Sequence, residues 1–111
     1  MTGVEITRFE RAGWQRRAAA ELAAVLDTHR DLPVIAWTVG SAGATLTGHV
    51  DGLAPATEVR QVFDLWRAEL MLTEHSEFAS AGGATYLRAV STRDRVRIGV
   101  TATVLDAEDE G

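Results

Sequence analysis

A chain of 111 residues with 46% apolar content fits one globular unit with a single two-layer core, and that apolar share excludes global disorder. The absence of cysteine excludes disulfides, thiolate metal sites and cysteine nucleophiles. The formal charge is −5, but Asp106, Glu108, Asp109 and Glu110 account for four of those charges and leave −1 on the rest, so bulk electrostatic binding of nucleic acid is not expected.

All eleven cations are arginine, and lysine and asparagine are both missing. Those two residues use AT-rich codons, so the composition points to a GC-rich bacterial genome and weakens arginine content as a functional clue. No charged-then-apolar leader opens the chain, and no apolar run nears the roughly 18 residues that a membrane helix requires. The expectation is a cytoplasmic protein with no membrane contact. Residues 1–105 read as one α+β domain and 106–111 as a flexible acidic tail.

The first element is a helix from about Arg8 to His29. Thr7 and Glu10 fit a capping box, and Trp14, Ala18, Leu22, Val25, Leu26 and His29 recur at helical spacing. Gly13 is a weak point, so the regular helix is expected to begin near Trp14. Pro33 closes the segment. A hairpin follows. Residues 34–39 are rich in β-branched and aromatic side chains, 40–43 form a turn with two glycines, and 44–50 return. Ile35, Trp37, Val39, Leu46 and Val50 share one face, while Thr45, Thr47 and His49 point the other way.

The second helix is the clearest element. Pro55 suits its first turn, and Val59, Val62, Phe63, Trp66 and Leu70 form an apolar stripe. Arg60 and Asp64 are spaced for an ion pair on its outer side. Residues 73–84 are polar, aperiodic and end in Gly82-Gly83, which reads as a mobile loop. A second hairpin closes the chain, with strands over 85–91 and 95–105 and a turn at Thr92-Arg93-Asp94. Val96, Ile98, Val100, Ala102 and Val104 alternate with more polar positions, the pattern of a strand buried on one side.

The order αββαββ predicts a two-layer sandwich: one four-stranded, antiparallel-rich sheet with two helices on one face, a permuted ferredoxin-like arrangement. The strands from Ala44 and Arg95 are expected in the centre, with Trp14, Trp37, Phe63 and Trp66 as core anchors. The uncovered face should then present Thr38, Thr45, Thr47, His49, Arg95, Arg97, Thr101 and Thr103. The strand over 85–91 adds either Tyr86 and Arg88 or Leu87, since both of its phases hold apolar residues.

No catalytic or metal signature stands out. His29, His49 and His75 lack ligand spacing, and His75 beside Thr73 and Ser76 on a loop is a poor base–nucleophile arrangement. The glycines at 40–43 lack the lysine and following helix of a phosphate loop. No cofactor is expected, and no stretch resembles a known family. The leading expectation is a non-enzymatic accessory or interaction protein that self-associates or binds another protein. The alternative is a small-ligand domain or enzyme using a cleft under the 73–84 loop. A third reading is a nucleic-acid-associated protein using the open sheet face. The candidate binding residues are His49, Tyr86, Arg88, Arg95, Arg97 and His75.

Overall fold

The computed structural model describes residues 8–40, 43–52 and 54–105. Helix α1 spans Arg8–Thr28, strand β1 Ala36–Val39, β2 Thr45–Val50, helix α2 Ala56–Glu69, and strands β3 Glu74–Ala79, β4 Ala84–Arg93 and β5 Val96–Leu105. The expected capping residue Thr7 and the acidic tail lie outside the described residues. Helix α1 runs through Gly13 without a break.

The five strands form one mixed sheet in the order β1-β2-β5-β4-β3. Neighbours are antiparallel except β2 and β5, which run parallel with Leu46 opposite Ile98 and Val50 opposite Ala102. Strand β5 is central, as its pattern predicts, and β2 and β4 flank it in the interior. The four-stranded, ferredoxin-like expectation is corrected by β3. Residues 74–79, expected in a loop, pair with β4 from Glu74–Val90 to Ala79–Thr85. Inserting one strand ahead of β4 reverses the direction of β4 and β5, so β5 meets β2 in parallel rather than antiparallel.

Both helices pack on the face that carries Leu46, Val50, Leu87, Ala89, Ile98, Val100, Ala102 and Val104, all buried. Helix α2 supplies Val59, Phe63 and Trp66, with Leu70 at its C-cap, so its apolar stripe is the one read from spacing. The contribution of α1 is slighter, with Ala18 and Val25 fully buried. Trp14, expected as an anchor, is half-buried and stands outside the core cluster. Trp66 ties α2 to β1 and to the connection that precedes it. Its Nε1–H donates to the Pro33 carbonyl at 2.8 Å, and its ring meets Trp37 edge-on at 5.5 Å. The Trp37 ring lies over Gly48, where a Cβ would approach it to 2.9 Å, so the small residue makes room for the indole.

Helix α2 ends in a Schellman motif. The Leu72 N–H donates to the Arg67 carbonyl at 3.0 Å and the Met71 N–H to Ala68 at 3.2 Å, with Met71 at φ 56° where glycine is usual. Buried Leu72 then turns the chain directly into β3. Arg93 donates from Nη2 to the Leu70 carbonyl at 2.9 Å, placing a cation at the negative end of the helix dipole. The β4–β5 turn is Asp94-Arg95, both at positive φ, a two-residue type I′ hairpin one position later than expected.

Two substitutions test this packing. Trp66→Ala should lower stability by roughly 3–5 kcal/mol in urea unfolding, and an unchanged midpoint would contradict the anchor role. Met71→Gly should raise stability by roughly 0.5–1 kcal/mol, because it relieves an αL cost of about 1–2 kcal/mol and partly offsets this through greater unfolded-chain entropy. Loss of stability in that variant would contradict the Schellman geometry.

Candidate functional site

Strand parity divides every side chain of the sheet between two faces. The register brings Thr47 beside Gly99, His49 beside Thr101, Arg88 beside Thr101, Tyr86 beside Thr103 and Phe78 beside Tyr86, all on the face away from the helices. Of the six candidate residues, His49, Tyr86, Arg88 and Arg97 therefore share this open face. The ambiguity of residues 85–91 resolves the same way, with Leu87 and Ala89 inward and Tyr86 and Arg88 outward.

The other two candidates lie elsewhere. Arg95 occupies the β4–β5 turn, outside the strand, so it does not stand with Arg97 as a pair projecting from β5. His75 lies on β3 facing the helices, its ring 5.9 Å from that of Phe63. The sheet separates it from His49, Tyr86 and Arg88. A cleft beneath a 73–84 loop that gathers those four residues is thus not formed, because the segment is a strand of the sheet itself. His75 instead shares a hollow of about 250 Å³ between α2 and β3 with Arg60, Asp64, Arg67 and Glu77. Arg60 pairs across it with Glu77 at 3.6 Å, rather than along the helix with Asp64, which pairs with Arg67 at 3.6 Å.

At the centre of the open face is a second hollow, of about 210 Å³, floored by Gly99 and Val90 and rimmed by Thr45, Thr47, Thr101, Arg88 and Arg97. It exists because Gly99 puts no side chain between its larger neighbours. A Cβ there would meet Val90 Cγ2 at 3.4 Å, an ordinary contact. His49 Nδ1 and Thr101 Oγ1 share a hydrogen bond 2.8 Å long, and Arg97 reaches Glu74 at 3.5 Å. That ion pair is exposed on both sides and contributes little to stability.

At the β3 end of this face the candidate Tyr86 meets Phe78, a residue that the sequence pattern left in a loop. Phe78 and Tyr86 stack with ring centroids 6.1 Å apart and planes 22° apart, and they are 65% and 45% exposed. Glu74, Ser76 and Phe78 alternate with His75, Glu77 and Ala79, a two-residue period that carries no apolar signal because all six residues are exposed.

The backbone of β3 is equally open. Ser80 N–H donates to the Ala84 carbonyl at 2.8 Å. Antiparallel alternation from that bond turns the polar groups of Phe78, Ser76 and Glu74 toward β4 and those of Ala79, Glu77 and His75 outward. Among the described residues no three His, Asp or Glu side chains converge as a metal set, and no helix is long and apolar enough to cross a membrane. Comparison with protein-family models, curated proteins and solved structures finds no match.

Filling the hollow is a direct check of its construction. Gly99→Ala should fold with stability within about 1 kcal/mol of the parent, read from the urea midpoint. A loss of several kcal/mol would contradict an open hollow above Gly99.

Proposed function

We propose that this chain is a non-enzymatic interaction domain that binds protein, a second copy of itself first of all, through the β3 end of its sheet. One observation carries the reading: β3 is six residues long, every residue is exposed, and half of its backbone groups point away from β4. An edge of that kind is a template for another strand unless it is covered or blunted. No proline, glycine or lysine interrupts it, and its two carboxylates are already paired within the chain, Glu74 with Arg97 and Glu77 with Arg60. Phe78 of this strand and its stacking partner Tyr86 on β4 add apolar surface of the kind enriched at protein interfaces. The opposite edge, β1, is shorter at four residues.

A second reading is favoured by the same aromatic pair. Single-stranded nucleic acid binds on stacking platforms lined with cations, and the open face combines Phe78 and Tyr86 with Arg88 and Arg97. Glu74 opposes it by pairing with Arg97. Fluorescence anisotropy with a labelled oligonucleotide separates the two readings. Binding at low salt that weakens as salt rises supports the nucleic-acid reading, and no signal at low salt sinks it.

For the leading reading, Glu77→Pro is the informative variant. It removes an outward N–H that β4 does not use, so pairing within the chain should survive. Sedimentation across the micromolar range should show self-association of the parent, weakened tenfold or more in the variant. A parent that stays strictly monomeric at the highest concentration would contradict self-association.

A further inference from the structure

The outward edge of β3 constrains how a second copy would pair with it. We infer that two chains join β3 to β3 antiparallel across a two-fold axis at Ser76, extending the sheet to ten strands; the inference rests on the interaction reading above. A two-fold axis normal to the sheet keeps each face on its own side. Residues of like parity must then meet, which leaves pairings centred on His75, Ser76 or Glu77.

Overlap and charge choose among them. Centring on His75 leaves half of the strand beyond its partner and puts two histidines face to face. Centring on Glu77 sets Glu77 directly opposite its own copy, a like-charge pair that destabilises a sheet. Centring on Ser76 sets His75 opposite Glu77 twice, an imidazole donor against a carboxylate on each side of the axis. Five of the six residues are then paired. His75 and Glu77 are also the residues whose backbone groups face outward, so each pair exchanges two main-chain hydrogen bonds.

The surroundings admit this partner. Helix α2 packs chiefly over β5, two strands inward, which leaves the approach to β3 open. On the helix side the groups near the pairs are Arg60, already 3.6 Å from Glu77, together with Asp64 and Arg67. On the other face Phe78 would lie opposite Glu74 of the second copy, whose carboxylate is held by Arg97.

The chain's lack of cysteine makes single-cysteine variants a clean test. Ser76 would face its own copy in a non-hydrogen-bonded pair with Cα atoms about 4.5 Å apart, inside the disulfide range of about 4.4–6.8 Å. Ser76→Cys should therefore oxidise to a covalent dimer with the sedimentation coefficient of the parent dimer. Phe78→Cys should not, because its two copies would be offset by about 13 Å along the strand. Charge exchange supplies an independent arm. Glu77→Lys should weaken the dimer by about tenfold, and adding His75→Glu should restore it. Preferential cross-linking at Glu77→Cys or His75→Cys overturns the Ser76 register. A parent dimer that none of these cysteines traps overturns β3 pairing while leaving self-association standing. A strictly monomeric parent overturns both.

Discussion

Strand β5 is the constraint on which the rest of the structure depends. It pairs in parallel with β2 and antiparallel with β4, and so joins the N-terminal hairpin to the C-terminal meander in one sheet. Its inward residues Val96, Ile98, Val100, Ala102 and Val104 are all buried. Helix α2 lies across this strand, and Phe63 and Trp66 reach the core from it. Its direction is set far upstream. The chain leaves α2 through a Schellman turn at Met71, makes β3 and β4, and only then enters β5. Without β3 as a strand, β5 would run the other way.

Strand β3 also gives the sheet a fully exposed edge. Because β3 is last in the sheet, it is hydrogen-bonded on one side only, and α2 touches it through side chains such as Arg60 and Phe63 rather than covering it. Its placement also brings Phe78 against Tyr86 and Glu74 against Arg97, so the open face gains an aromatic pair and an ion pair at its β3 end. The Gly99 hollow lies farther in, among threonines and the two arginines. Edge and face form one continuous surface, and the proposed interaction uses the part where backbone groups are free.

What could be read from the amino acids follows burial. Val59, Phe63, Trp66 and Leu70 announce α2, and the alternation through Val104 announces β5, because each pattern records a face turned to the core. Parity alone put His49 and Arg97 on the open face. Residues 74–79 were illegible because neither face of β3 is buried, so the two-residue period had no hydrophobicity to mark it. Phe78, the only large apolar residue in that stretch, was the one available hint. Met71 and Arg95 concealed a helix end and a turn, since both adopt the left-handed conformation where glycine is the usual signal. Arg95 consequently leaves the candidate site, and His75 falls on the opposite side of the sheet from the residues grouped with it.

Residue-resolved amide hydrogen exchange over 74–80 tests most directly whether this segment is an edge strand of the sheet. The amides of Glu74, Ser76, Phe78 and Ser80 should be protected through their bonds to β4. Those of His75 and Glu77 should exchange quickly in dilute solution and slow only as protein concentration rises, while that of Ala79, beyond the paired residues, should stay fast. Uniformly fast exchange across all seven positions would return the segment to a loop and, with it, reverse β5 in the sheet.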